Sequence, residues 1–224
     1  MKSHFQPHRN TFLALAVFSI ALLLLTGCNG AGKQIDTATA SMSTTRTSLD
    51  VGSEQIDRVM ESLDALDTTS HLKTGFDRYS KAVDKLDQDA KTARERWASM
   101  RARADEYDAN WQKEMASIQG VEAREISQKR REAFRNRMAA LRDSMESLKA
   151  AYQPFVAQLG DIRLILANDL TAGGVRSIAS LRAEAAKSAE RLRAELVKTR
   201  NALAAAETEY STTIRTTTAE EKNP

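Results

Sequence analysis

The chain is poor in residues that build metal sites, disulfides and catalytic triads. Its only cysteine is Cys28, so no disulfide can form within one chain. Of the three histidines, only His71 lies beyond the N-terminal apolar segment. A site made of histidine and cysteine ligands is therefore excluded there, as is a triad that does not use His71. We expect no metal, no cofactor and no enzymatic activity.

Proline and strand-like patterns are also scarce. Pro154 is the only proline between Pro7 and Pro224. No segment alternates apolar and polar residues as a half-buried strand does. Aromatic residues make up 5% of the chain and charged residues 28%. Long amphipathic helices fit this composition, and we predict an all-α fold.

The chain begins with a short apolar segment. A polar, basic start precedes the 14 residues from Phe12 to Leu25. As a helix they would span about 20 Å, less than the roughly 30 Å of a bilayer core. That length is typical of the core of a signal peptide. We therefore predict a signal peptide at residues 1–27.

The end of this segment resembles the lipobox of bacterial lipoproteins, here Leu25, Thr26, Gly27 and Cys28. The resemblance implies cleavage before Cys28 and acylation of its sulfur and its new amino group. Such a covalent lipid anchors a protein, since each buried CH₂ contributes about 0.8 kcal/mol. Asn29 follows, where an Asp often marks inner-membrane retention in enterobacteria, so we expect the outer membrane, facing the periplasm. An ordinary secretory cleavage site or a short anchor is the alternative.

The same residues also fit the spacing of a phosphate-binding loop. Gly27 to Lys33 match G-x-x-x-x-G-K. Gln34 follows, however, where a magnesium-binding Ser or Thr is required, and the segment before is a signal core instead of a strand. We therefore favour the lipoprotein interpretation.

Apolar residues recur at steps of three and four along most of the chain, which is the heptad spacing of packed helices. We call these four series the seams. The clearest run from Leu72 to Trp111 and from Phe134 to Leu166. A third runs from Ala189 to Tyr210, and a weaker one from Ile35 to Leu66. Large seam residues are expected to form the core.

The seams and the breakers between them predict four helices, at 34–67, 71–118, 121–168 and 175–214. Short turns make sequential neighbours antiparallel. We therefore predict an elongated antiparallel coiled-coil bundle of about four long helices at residues 34–214. Residues 28–33 would be a lipidated start and short linker, and residues 215–224 a flexible polar tail.

The region around Pro154 resembles a known family. Tyr152-Gln153-Pro154-Phe155-Val156, Asp161-Ile162 and Asn168-Asp169-Leu170-Thr171-Ala172 are similar in order and spacing to a family of proteobacterial and related lipoproteins catalogued as a domain of unknown function. The resemblance covers about residues 60 to 205. It implies a helical, membrane-anchored envelope protein and implies no activity.

The turn before the last predicted helix is a candidate contact site for a partner. It carries the residues most similar to the family pattern, and Gly173-Gly174 would let its backbone be approached closely. The local alternative is that these residues end one helix and cap the next, with Thr171 as the cap. The candidate residues are Asn168, Asp169, Thr171, Gly173 and Gly174.

Arginines on the two middle helices form a candidate basic band. If the hairpin folds at Gly120, they fall at similar heights and could bind anionic lipid, glycan or nucleic acid. Acidic residues are interleaved, which favours an ordinary solvated face. The seven residues are Arg94, Arg96, Arg101, Arg103, Arg135, Arg137 and Arg142.

The charge balance argues against nucleic acid as a partner. Removal of residues 1–27 takes Lys2 and Arg9 from the 33 basic residues and nothing from the 30 acidic ones, which leaves a net charge of +1. We predict a structural or interaction lipoprotein of the envelope with an unidentified protein partner, and self-association is left open. The alternative is an anion-binding module that uses the arginine band.

Overall fold

The chain is helical throughout the part that is described. The computed structural model describes the backbone of residues 27–220 and the side chains of residues 36–209. Within residues 27–220 there is no strand, which confirms the all-α fold class. A 3₁₀ turn, Ala65–Asp67, follows the first helix. The helices are α1 (Gly27–Asp64), α2 (Leu72–Met115), α3 (Val121–Asn168), α4 (Ala172–Ser177) and α5 (Ala179–Glu220).

Several bounds differ from those predicted. Residues 28–33, predicted as a lipidated start and short linker, are helical. A glycine inside a helix costs only about 1 kcal/mol relative to alanine. Gly30 and Gly32 therefore do not interrupt α1. At the other end, α5 continues to Glu220, past the predicted start of the tail at 215. The signal peptide before Gly27 lies outside the described residues.

The last predicted helix is two helices. The structure replaces the single helix predicted at 175–214 with α4 and α5, which meet at Ile178. The connection predicted between residues 168 and 175 is also shorter, since only residues 169–171 separate α3 from α4. No described helix is long and apolar enough to cross a bilayer.

The predicted seams form the core. Each seam residue with a described side chain is buried or half-buried, and none is exposed. The tryptophans and Tyr107 pack against the core, as predicted. Pro154 lies on an exposed face inside α3. The most completely buried large side chains include Tyr79, Phe155, Leu159, Ile162 and Leu166.

Each long helix packs against two others. α1 contacts α2 and α5, and α3 contacts the same two helices. Ion pairs join α1 and α5. As the residue number on α1 increases, the number of its partner on α5 decreases, so the two helices run in opposite directions. These pairs are Arg46–Glu207, Asp50–Arg200 and Asp57–Arg193, and Asp67 beyond α1 pairs with Arg182.

Two of the connections between helices lie at the same end of the packed helices. The 3₁₀ turn after α1 contacts α4, and its Asp67 pairs with Arg182 of α5. We call the region formed by residues 65–71 and 168–178 the distal end. At 1.5 Å per residue, the axis of α1 carries it roughly 55 Å from Cys28.

Candidate functional site

The candidate contact turn is a short, ordered connection at the distal end. Asn168 ends α3, and the N–H of Asp169 donates to the carbonyl of Ile165 at 3.0 Å. The hydroxyl of Thr171 accepts a hydrogen bond from the N–H of Gly174 at 3.1 Å, which confirms Thr171 as an N-cap. The same hydroxyl donates to Asp169 Oδ1 at 2.8 Å. The turn is therefore held by its own side chains.

The two glycines of this turn differ in what they permit. Gly174 is buried, and a Cβ there would collide with the carbonyl oxygen of Asp169. Gly173 is exposed, and a Cβ there would meet only the Thr171 hydroxyl oxygen, at 3.4 Å. The close backbone approach expected for this pair is thus used inside the protein at Gly174, while the surface at Gly173 stays open.

The exposed part of the turn is small and polar. The side chains of Asn168, Asp169 and Thr171 are exposed, whereas Leu170 packs partly against the core. Val175 and Ile178 are buried and fix α4 to the helices beneath. The turn can therefore offer hydrogen-bonding groups to a partner without any change in its own packing.

The arginines of α2 lie on two different flanks. Arg96 donates to Ser48 Oγ of α1 at 2.7 Å. Arg94 lies close enough to Tyr152 of α3 to affect its pKa. Two residues advance about 200° around a helix, so these arginines point to opposite sides. Seven-residue spacing places Arg101 with Arg94, and Arg103 with Arg96.

The arginines of α3 divide in the same way. Arg137 forms an ion pair with Glu209 of α5. Arg135 and Arg142 line one shallow groove together, and Arg135 precedes Arg137 by two residues, or about 200°, so both point away from the side that faces α5. Four of the seven arginines therefore share the side on which α2 faces α3, namely Arg94, Arg101, Arg135 and Arg142. The other three face α1 or α5, so the seven do not form a single band.

The predicted lipidation site stands at the start of α1. Gly27 and Cys28 are the first residues of this helix, and their side-chain surroundings lie outside the described residues. Leu25 and Thr26 precede the described part of the chain. The lipobox therefore remains a prediction from the sequence.

The described residues offer no candidate metal site. No group of three His, Cys, Asp or Glu side chains among them is placed to hold a metal ion. His71 is exposed at the start of α2.

A cavity that the sequence did not predict lies midway along the helices. Its volume is about 150 Å³, and α1, α2, α3 and α5 all contribute to its wall. The interior is aliphatic and aromatic, and includes Leu49, Ile56, Leu86, Trp97, Leu148 and Leu196. Arg94, Glu146 and Lys149 are exposed at its edge, where α2 faces α3. We call this edge the mouth.

Small seam residues leave this space empty. Gly52 occupies a seam position on α1, and a Cβ there would have no heavy atom within 4 Å. Ala90 and Ala93 occupy seam positions on α2 at the same height. α2 and α3 are joined on both sides of this level, by the hydrogen bond of Tyr152 to Asp87 at 2.7 Å and by Tyr107 against Phe134 at 5.2 Å. The clue in the sequence was a glycine in a seam.

Some of the charged groups around the cavity form ion pairs and others do not. Lys149 pairs with Glu146 at 3.4 Å, and Lys85 pairs with Asp89 on the wall nearest α1. Asp89 Oδ2 is buried and has no hydrogen-bond partner among the described residues. Arg94 has no ion pair in the described part of the chain. The Arg94 guanidinium is therefore open to an anion, while the nearby Asp87 carboxylate accepts the hydrogen bond of Tyr152.

Burial also affects the tyrosine at the mouth. Tyr152 lines the cavity and donates a hydrogen bond to Asp87. Burial raises the pKa of its phenol, and the hydrogen bond to the Asp87 carboxylate raises it further. The positive charge of Arg94 lowers the pKa of the same phenol, but by less. Tyr152 therefore stays neutral and holds α2 and α3 together beside the mouth.

Comparison with known proteins identifies a family. The family described as "Protein of unknown function (DUF2959)" matches residues 31–213, a longer stretch than the predicted resemblance. No curated protein and no solved structure matches the chain. The matched residues make up most of the sequence. The chain therefore belongs to the DUF2959 family of proteins of unknown function.

Proposed function

We propose that this protein is a lipid-anchored, non-enzymatic scaffold of the cell envelope. A lipid on Cys28 holds it to the outer membrane, and the rest of the chain projects into the periplasm. The helices form one elongated antiparallel coiled-coil bundle. The lipid is its only attached group, and its distal end contacts an envelope protein. Self-association is an additional way in which such a rod could act.

The observation that carries this proposal is the path of α1. This helix begins beside Cys28 and packs along α2 and α5 until Asp64, next to the distal end. Seams on four long helices stiffen that path by burying apolar residues along it. Anything attached at Cys28 is thereby kept roughly 55 Å from the distal end. A rigid spacer between an anchor and a contact surface is what a scaffold needs.

The anchor is tested first. Cys28→Ala should block lipid transfer and leave the unprocessed precursor, which migrates as a larger protein. Cells are labelled with a radioactive fatty acid, and the wild type should incorporate label while the variant should not. Ser43→Ala, a polar position on α1 beyond the lipobox, serves as the control. Equal labelling of the Cys28 variant would disprove the anchor.

The distal contact is tested in living cells. A photo-crosslinker at Ala172 should capture a defined partner, because Ala172 is exposed beside Thr171. The double change Asp169→Ala and Thr171→Ala should abolish that capture yet lower stability by only about 1–2 kcal/mol, the effect of lost caps. A crosslinker at Arg101, an exposed residue of α2, is the matched control. Capture at Arg101 and none at Ala172 would refute the distal contact.

The second candidate is an anion-binding module. It is favoured by the four arginines that share the side between α2 and α3. Anionic lipid, glycan or nucleic acid would bind there with an affinity that falls steeply as salt is raised. We do not expect nucleic acid, because an exported lipoprotein rarely meets it. Binding to anionic vesicles that does not change with salt would exclude this function.

A further inference from the structure

We propose that the cavity midway along the helices is a binding site for a small carboxylate with an apolar tail, such as a short fatty acid or an aromatic acid. The tail enters between α2 and α3, and the carboxylate stays at the mouth beside Arg94. This inference does not depend on the lipid anchor or on the distal contact.

The size and lining of the cavity define the tail. An apolar cavity of roughly 150 Å³ binds molecules of benzene size, and this one has a volume of about 150 Å³. Its interior is formed by leucines, Ile56 and Trp97. A tail of about six carbon atoms therefore fits, and a long acyl chain would extend beyond the mouth.

The empty space is created by specific residues. At Gly52 a Cβ would meet no heavy atom within 4 Å, whereas the neighbouring seam residues Leu49 and Ile56 are almost fully buried. Packed cores rarely leave a void of this size. Since the seam is filled before and after Gly52, the void is a local feature of one layer and not general loose packing.

The charges at the mouth select the head group. Glu146 and Lys149 compensate each other at 3.4 Å. Arg94 is exposed and has no ion pair within the described residues. Guanidinium groups bind carboxylates through two parallel hydrogen bonds, so a carboxylate at this point would pair with Arg94.

One group favours the opposite charge. Asp89 lines the cavity on the side nearest α1, and its Oδ2 has no hydrogen-bond partner among the described residues. Its other oxygen is paired with Lys85. An amine could use Asp89, so head-group charge is the property that the experiment must decide.

The experiment uses fluorescence of the full chain in phosphatidylcholine vesicles. The chain has two tryptophans, and Trp111→Phe leaves Trp97, in the cavity wall, as the only one. The probe is 6-bromohexanoate, whose bromine quenches a tryptophan that it touches. Quenching of Trp97 should saturate with rising probe. Hexanoate should compete more strongly than hexanol, and hexanol more strongly than hexylamine.

Two variants with matched controls separate the tail from the head. Gly52→Leu fills the void and should abolish saturable quenching. Gly160→Leu is its control, because Gly160 also has open space at its Cβ but does not line the cavity. Arg94→Gln should raise the Kd for hexanoate about two- to fivefold, as expected for an exposed ion pair, and leave that for hexanol unchanged. Arg103→Gln, on the opposite flank of α2, should change neither.

The outcomes are distinct. Saturable quenching that is lost in Gly52→Leu and kept in Gly160→Leu supports the site. Quenching that does not saturate, or that survives Gly52→Leu, overturns it. Tighter binding of hexylamine than of hexanoate would assign the head group to Asp89 and overturn the carboxylate.

Discussion

The distal end and the layer at Gly52 are built on the same heptad spacing, yet they pack differently. Near the distal end, Tyr79, Phe155 and Leu159 are fully buried. In the layer at Gly52, the small seam residues Gly52, Ala90 and Ala93 are half-buried and line a cavity of about 150 Å³. We call the first region the closed layers and the second the open layer.

The difference shows that side-chain volume, and not the pattern, decides what a layer does. A large residue at a seam position fills the space between helices, whereas glycine or alanine at that position leaves it open. The open layer contributes less burial to stability, but it offers an apolar site with charged groups at its edge. Each prediction below compares the two kinds of layer or tests an interaction that stabilises the packed helices.

The largest expected effect is a charge in a closed layer. Leu159→Asp should lower the free energy of unfolding by several kcal/mol, because the carboxylate would be buried with no partner. Ala93→Asp, in the open layer, should lower it much less, since water can reach the cavity wall. Urea unfolding measures both, with Leu164→Asp at an exposed position as control. Equal losses at Leu159 and Ala93 would break the comparison.

The next effect concerns the tight turn at the distal end. Gly174→Ala should lower the free energy of unfolding by about 1–3 kcal/mol, because the new methyl group would press against the Asp169 carbonyl. Gly173→Ala should be tolerated, since only the Thr171 hydroxyl lies near. Thermal unfolding followed by circular dichroism would show the two midpoints. A lower midpoint for Gly173→Ala than for Gly174→Ala would contradict this packing.

A smaller effect is expected from one buried hydroxyl. Tyr79 donates a hydrogen bond to the Leu159 carbonyl at 2.8 Å, within a closed layer. Tyr79→Phe should lower the free energy of unfolding by about 0.5–1.5 kcal/mol at neutral pH, because it removes a buried hydrogen bond to a carbonyl that keeps only its bond within α3. Tyr152→Phe should have less effect, since its partner Asp87 is exposed and can bind water. The reverse order would argue against burial as the cause.

The same tyrosine predicts a pH dependence. Burial raises the pKa of Tyr79, and nearby Arg163 opposes this only in part. An unfolded tyrosine loses its proton near pH 10 while the folded one keeps it, so the unfolded state then binds fewer protons. Stability should therefore be complete below pH 10 and fall as pH rises above it. Tyr79→Phe should reduce that alkaline loss, and an unchanged slope would show that Tyr79 does not cause it.

The smallest effect is expected from the ion pairs between α1 and α5. Arg193 contacts Asp57 at 2.7 Å, and the Asp57 side chain is about half exposed. Asp57→Asn should lower the free energy of unfolding by only about 0.2–1 kcal/mol, and 1 M salt should remove most of the difference. Urea unfolding at low and high salt measures this. A loss of several kcal/mol would mean that these pairs, and not the closed layers, hold α1 in place.

The sequence was sufficient for features that depend on one helix at a time. Seven-residue spacing identified the seam positions, which are buried or half-buried in the structure, and the end of α3 at Asn168 was predicted correctly. It could not show which flank of α2 faces α3, so the arginines were predicted as one band. The open layer requires Gly52, Ala90 and Ala93 to meet at one height, which depends on how the helices are aligned. Gly174 was assigned to a loop because glycine usually interrupts a helix. In the structure it lies inside α4, where the close approach of the Asp169 carbonyl leaves no room for a Cβ.

The most direct test of the account adds volume to the open layer. Gly52→Leu should raise the urea midpoint more than Gly160→Leu does, because both lose a helix-destabilising glycine but only the first fills a cavity. Leu159→Gly, in a closed layer, should lower it strongly. If Gly52→Leu instead lowers the midpoint while Gly160→Leu does not, the layer at Gly52 is already full, and the distinction between open and closed layers is wrong.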